Sequence, residues 1–393
     1  MKNLAKYVIV GILILMCVIY LFSRCTLFIP DESDKAKEDA VANAPVLNFS
    51  DEVKKMAEGM TLKEKIYQMF YVTPEQLTGV DEVIQAGDKT KEMIEKYPVG
   101  GIVYSSHNLQ TPQQAKELIG KTQEFAKIPM FLGVFEEGGE NTAIGNNEAM
   151  SLGKIETMFD VADFERANEI GKKVGGELKK LGLNMNFAPV SDVLGEGLDN
   201  VIGKRSFGYD YNAVSKKVEQ YVLGLQEKGV SATLKHFPGQ GYTNGGTTYD
   251  YALSDRTAEE IRNEDFEPFI KGIEAKADFV MIGNVKALNL DNINPAPFSY
   301  KIVTEILKNE LGYTEIVISA PMNEGAVLNS HTSAQAAVES VKAGIDMILM
   351  PNNLEIASEA LYNAVREGEI PESRIDESVM KILQCKLNKG LLK

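Results

Sequence analysis

Cysteine and histidine are scarce in this 393-residue chain, with three of each. So few cysteines cannot build a disulfide framework, and the two types together leave too few ligands for a Cys/His zinc site. Positive charge is also short: 41 Lys and Arg stand against 56 Asp and Glu, a net charge of −15. Residues 1–25 hold Lys2, Lys6 and Arg24 and no acid, so the remainder carries 38 − 56 = −18. That balance argues against a nucleic-acid partner or an anionic-lipid surface for the body of the chain. No glycine-rich phosphate loop follows any apolar run, which weakens dinucleotide and nucleoside-triphosphate readings. The 44% hydrophobic and 25% charged fractions are ordinary globular values and exclude disorder. The length suits one large catalytic-size domain or two medium ones.

One long apolar run is present. Tyr7 to Phe22 (YVIVGILILMCVIYLF) carries no charge and lies between Lys6 and Arg24. As a helix it spans about 24 Å, slightly short of a roughly 30 Å hydrocarbon core, and snorkelling Lys and Arg cover the difference. Lys2 and Lys6 favour a cytoplasmic N-terminus, so the expectation is a single-pass cell-membrane protein with its bulk extracellular. A cleaved signal peptide is the alternative, but no small-x-small site follows directly; Ala42-Asn43-Ala44 lies well beyond the run. Lipidation at Cys25 is a third option, against which Arg24 has the wrong size, while Cys17 fills the anchor. The expected organisation is an anchor over 1–25, an acidic linker over 26–49 and a folded domain over 50–393. Within the linker, Asp31 to Pro45 reads as a solvated stalk.

From Ser50 the chain alternates. Apolar runs recur at 67–72, 100–104, 130–135, 184–190, 232–237, 278–283, 315–320 and 346–350. Helix-like stretches separate most of them, among them 162–181, 213–228 and 257–275. Strands buried on both faces read as continuous apolar runs, and their alternation with helices implies βαβ units. Eight runs over this length predict an α/β fold of the (β/α)8 TIM-like barrel type, preceded by the one transmembrane helix. A doubly wound open sheet is the alternative.

In a barrel the chemistry sits where strands end. The run at 130–135 leads into Glu136, Glu137, Gly138 and Gly139, and that at 184–190 into Ser191 and Asp192. Arg205 lies in the following loop, Lys235 and His236 close the fifth run, and Ala320 closes the seventh. Arg205, Lys235 and His236 beside Asp192 suit a neutral or anionic polyol such as a sugar, which needs many fixed donors and acceptors. These four are the candidate substrate-binding residues. His107 and His331 read as surface or packing histidines, and Cys385 as a buried helix position.

The motifs together resemble the single-barrel β-N-acetylhexosaminidases of glycoside hydrolase family 3. They run in family order from MTLKEKIYQMF (60–70) through YPVGGIVY (97–104), EEGGE (136–140), NMNFAPVSDV (184–193), NVIGKRSFG (200–208) and KHFPGQG (235–241). SAPMNEGAV (319–327), AGIDMILMPNN (343–353) and the stretch 364–386 complete them. The resemblance implies a somewhat irregular TIM barrel, no cofactor and no metal. It implies N-acetylglucosamine-containing cell-wall glycan or muropeptide as the partner.

Departures from the family pattern fall on its chemistry. The nucleophilic aspartate position is Ala320, and the aspartate and histidine of the acid/base loop are Gly246 and Thr248. Gln240 and Asn284 replace histidines, Phe135 replaces a sugar-gripping aspartate, and Glu140 replaces an arginine. Asp192, Arg205, Lys235 and His236 match positions associated with sugar binding and site architecture. A retaining mechanism needs a nucleophile and a proton donor on opposite sides of the anomeric carbon. An alanine methyl cannot be the first, and a threonine hydroxyl does not shuttle protons near neutral pH as imidazole does. No catalytic residue is therefore assigned, and the expectation is an inactive glycan binder. Two alternatives stay open. One is an active hexosaminidase using relocated carboxylates drawn from Glu137, Glu324 and Asp250, each otherwise a solvated loop acid. The other is a structural envelope protein with a closed pocket. Phe135 either stacks on a pyranose or plugs the mouth.

Overall fold

The computed structural model describes residues 45, 47–197 and 200–392. The expected anchor and most of the expected linker lie outside these residues. Among the described residues no helix is long and apolar enough to cross a membrane.

Eight parallel strands form the centre: β1 (Phe70–Val72), β2 (Gly101–Tyr104), β3 (Phe131–Val134), β4 (Met185–Asn186), β5 (Ser231–Phe237), β6 (Phe279–Ile282), β7 (Ile316–Ser319) and β8 (Ile348–Leu349). Seven lie within one of the eight apolar runs, and β5 begins one residue before its run, at Ser231. Their order is β7-β6-β5-β4-β3-β2-β1-β8. A parallel bridge between Ile318 and Met347 joins the two ends, so the sheet closes on itself. A closed parallel ring with helical crossovers is the TIM-like barrel, and the open doubly wound sheet is excluded. Strand residues are almost all buried, because helices cover the outside and side chains fill the inside.

The filling is aromatic on one side. Tyr71 points inward, and a Cβ at Gly101 would meet its ring at 2.4 Å, so β2 has room for this tyrosine only with glycine there. Phe187 meets Tyr71 edge-on at 5.2 Å, and Phe131 meets Phe279 edge-on at 5.1 Å. At the opposite end from the strand C-termini, Asp346 is fully buried among Lys308 (3.3 Å), Arg374 (3.0 Å) and Lys381 (3.6 Å). Burial opposes its charge, but these cations hold the carboxyl far below the usual range.

Helix starts follow capping chemistry. Thr61 and Glu64 form a reciprocal box ahead of Leu62–Gln68, and Asp163 caps Phe164–Leu181. The stretch read as one helix over 257–275 is broken. It runs as Ala258–Glu260, a wide π-helical turn Ile261–Asp265, then Glu267–Glu274 with Pro268 in its first turn. Proline lacks the N–H that a continuous helix would need there.

Candidate functional site

The C-terminal ends of β3, β4, β5 and β7 bring the expected residues to one mouth. The β5–β6 register shifts between Leu234 and Phe237, and a bulge of this kind re-aims the side chains it carries. Lys235 and His236 lie in that interval. Lys235 reaches Glu137, 98 residues earlier, as does Arg205. Arg205 grips Glu137 in a two-pronged pair, Nε to Oε2 at 2.8 Å and Nη2 to Oε1 at 2.9 Å. His236 Nδ1 lies 2.8 Å from Asp192 Oδ2, and Asp192 Oδ1 accepts the backbone N–H groups of His236 (3.1 Å) and Gln240 (2.7 Å).

These contacts fix the charges. Burial pushes the Glu137 carboxyl up, but Lys235 and Arg205 outweigh it and hold the group at about 2. Burial brings Lys235 down to about 8 despite Glu137. Burial also lowers His236 against the pull of Asp192, so its ring is neutral at neutral pH. The expected solvated loop acid at 137 is thus a buried member of an ion cluster, 4% exposed. Glu137 offsets one of its two cations and the neighbouring Asp192, whose charge acts on both, offsets the other, and His236 adds no charge. The basic reading of this trio, and with it the suitability for an anionic ligand, is corrected by that pairing.

Phe135 divides the mouth. Phe187 stacks on its ring at 4.5 Å and 17°, while the Lys235 ammonium sits 4.7 Å from its centroid. Phe187 and Lys235 thus already pack on this ring, and its remaining surface lines two cavities. The ring acts as a partition. On one side lies a chamber of about 410 Å³ with Ser105, Ser106, Glu140 and Thr142 on its wall. On the other lies one of about 220 Å³ lined by Arg205, His236, Gln240, Thr248, Asn284, Ala320 and Glu324 among others. Ala320 and Thr248 therefore face the same small cavity.

The loop after β5 is held there by specific contacts. Asn200 Nδ2 donates to Gln240 O (2.9 Å) and Thr243 O (2.7 Å). Ala326 N donates to Thr247 O at 3.1 Å, and a Cβ at Gly325 would lie 1.9 Å from Thr248 O, so glycine lets the loop rest on the chain after β7. A Cβ at Gly246 would meet Val201 Cγ1 at 2.7 Å, so an aspartate fits only by displacing that valine.

The family model for the glycosyl hydrolase family 3 N-terminal domain matches residues 61–385. The chain belongs to this family. A β-hexosaminidase of Idiomarina loihiensis is 30% identical over 295 residues, which is 74% of this chain and 88% of that protein. Beta-hexosaminidase A of Pseudoalteromonas piscicida is 28% identical over 324 residues, 75% of this chain, and the chain spans only 54% of its length. Among solved structures, a family 3 β-N-acetylglucosaminidase from Paenibacillus sp. str. FPU-7 superposes with a TM-score of 0.79 at 31% identity. That match covers 85% of this chain and 63% of the other.

Set within the family barrel, the remaining candidates separate clearly. Asp250 is 79% exposed, 3.7 Å from Lys286, and is not on the wall of either cavity. Glu324 stays in the cavity, its Oε2 2.9 Å from Asn284 Nδ2. His107 is exposed, and His331 packs against Phe298 at 4.1 Å with Ser330 Oγ at 2.8 Å from Nδ1, as a packing histidine does. Cys385 is buried in the helix Glu372–Asn388. No group of three or more His, Cys, Asp or Glu that could hold a metal occurs among the described residues. Sequence reasoning missed Phe187 as the backing of Phe135, a role visible only once β3 and β4 are paired.

Proposed function

We propose that this chain is a membrane-anchored, non-hydrolysing member of family 3 that binds N-acetylglucosamine-containing cell-wall glycan. The observation that carries the reading is the cavity in which Ala320 and Thr248 stand, with Glu324 the one carboxylate on its described wall. Retaining and inverting hydrolysis both need two carboxyl-type groups, or equivalents, facing each other across the anomeric carbon. Glu137 does not serve as the second. It is held ionised and so donates no proton, and it is no nucleophile or base here either, because it is buried off the wall of this cavity with both oxygens committed to Arg205 and Lys235. In this reading Arg205 and His236 contact the sugar from the cavity wall, while the fully buried Asp192 and Lys235 hold the mouth in shape behind them, Asp192 through His236 and Lys235 through Glu137. The hexosaminidase names of the relatives support the glycan class. The apolar run 7–22 and its lysines support an anchor with a cytoplasmic N-terminus and an extracellular barrel.

The test pairs two measurements on the full-length chain. A chromogenic N-acetylglucosaminide should show no turnover above buffer, and chitooligosaccharide titration should show saturable binding. Turnover that falls in a Glu324→Gln variant would establish a relocated carboxylate instead. Absence of both turnover and binding would leave the structural role.

A further inference from the structure

The 220 Å³ cavity has an unusual charge inventory for a neutral sugar. Around it, Glu137, Asp192 and Glu324 supply three carboxylates against the two cations Arg205 and Lys235, and His236 is neutral; of these charged groups only Arg205 and Glu324 stand on the cavity wall itself. Glu137 and Asp192 together offset the two cations, and Asp192 also holds His236 and two backbone amides. Glu324 is the remainder. Among the described residues no cation lies within ion-pair distance of it, Arg205 acting on it only from farther off, and it accepts a hydrogen bond from the Asn284 amide. That amide also donates to Pro321 O at 3.2 Å, so turning it over would set its oxygen against two acceptors. The orientation is thereby fixed, and the Asn284 Oδ1 atom is left buried with no partner. Ala320, Pro321, Asn284 and Glu324 thus make one wall that is rich in acceptors and poor in donors.

We propose that Glu324 sets this cavity's preference for a sugar bearing a free amine, a de-N-acetylated glucosamine unit of the glycan. The inference rests on the binding reading above and narrows it. An ammonium group brings three N–H donors and a positive charge to an unpaired carboxylate, a strong charge-assisted hydrogen bond. An acetamido group brings one N–H, and it adds a carbonyl oxygen that Glu324 repels. It also adds a methyl that must fit in a cavity closed on one side by Phe135. Arg205 stands on the same wall and feels the Glu324 charge, so it weakens the preference; it does not reverse it, because it forms no ion pair with Glu324 and its Nε and Nη2 are committed to Glu137.

Calorimetric titration of the full-length chain with chitobiose and with N,N′-diacetylchitobiose, at a pH where the free amine is protonated, tests this. The amine disaccharide should bind tighter by roughly 10- to 100-fold, the range of a charged hydrogen bond. Glu324→Gln keeps the shape and the Asn284 contact, and should erase the preference with an unchanged unfolding midpoint. Ala320→Asp, which adds a second carboxylate to the same wall, should widen it. Equal or tighter binding of the acetylated disaccharide overturns the inference and leaves the binding reading standing. A preference that survives Glu324→Gln overturns the assignment to that residue. Failure of either sugar to bind overturns both.

Discussion

Replacing Glu137 by Gln removes one charge from a cluster that holds two cations in the barrel mouth. Lys235 is fully buried and Glu137 nearly so, and Arg205 grips the same carboxylate through two nitrogens. Breaking such a buried pair by removing one partner costs about 3–5 kcal/mol, because the remaining charge is left uncompensated. The acid limb provides an independent number. Glu137 moves from 4.5 to about 2 on folding, a difference worth about 3 kcal/mol at neutral pH. A lowered carboxyl stabilises the fold above its unfolded value, and that stability drains away as pH falls from 4.5 towards 2. The wild type should therefore lose about 3 kcal/mol over that window through this group, and Glu137→Gln should not. Lys235 behaves oppositely at the alkaline end. Its lowered value near 8, against 10.5 unfolded, makes stability rise with pH between the two, since the unfolded chain holds the extra proton. Without Glu137 that rising limb should begin below pH 8. Urea unfolding across pH on both proteins measures all three effects. A variant within 1 kcal/mol of wild type at neutral pH, with an unchanged acid limb, would refute the ion-cluster account.

Asp346→Asn should destabilise by about 3–5 kcal/mol in denaturant unfolding, since Lys308, Arg374 and Lys381 lose their shared carboxylate, while glycan affinity at the other end of the barrel stays unchanged. Ala320→Asp alone should restore no hydrolysis of a chromogenic N-acetylglucosaminide, because Gly246 and Thr248 still supply no proton donor; a measurable rate would show that another group fills that role. Phe135→Ala should merge the two chambers, and the test is the affinity ratio of tetrasaccharide to disaccharide, which should rise if the ring is a partition and stay constant if it is not.

The barrel was legible because parallel strands are buried on both faces, so each of the eight strands coincides with an apolar run to within one residue. Helix continuity was less so. Over 257–275 the composition is helical throughout, and the interruption comes from Pro268 and the wide turn before it, which apolar periodicity does not register. At the site, motif spacing identified which residues gather at the mouth but not how their charges combine. Glu136 and Glu137 are neighbours in an apparently acidic loop. One turns to Thr142 and the backbone of Ile144, and the other to partners 68 and 98 residues away. Ion pairs at such separations leave no local pattern. Arg205 and Lys235 therefore read as a basic surface until the fold places Glu137 between them.

That pairing also explains which positions match the family and which depart from it. Glu137, Arg205, Lys235, Asp192 and His236 carry structural duties at the mouth: a buried ion cluster in one case, the anchoring of two backbone amides in the other. Changing any of them strands a buried charge or donor, at about 1–5 kcal/mol. Ala320 and Thr248 line the cavity, Gly246 is packed against Val201, and none of the three holds such a network together. A barrel that no longer hydrolyses its ligand would lose the second set without unfolding and could not lose the first. Matching residues at the first set are therefore weak evidence for sugar contact taken alone. Glu324 is the better probe of ligand binding, because among the described residues it makes no ion pair and Arg205 acts on its charge only from beyond that distance.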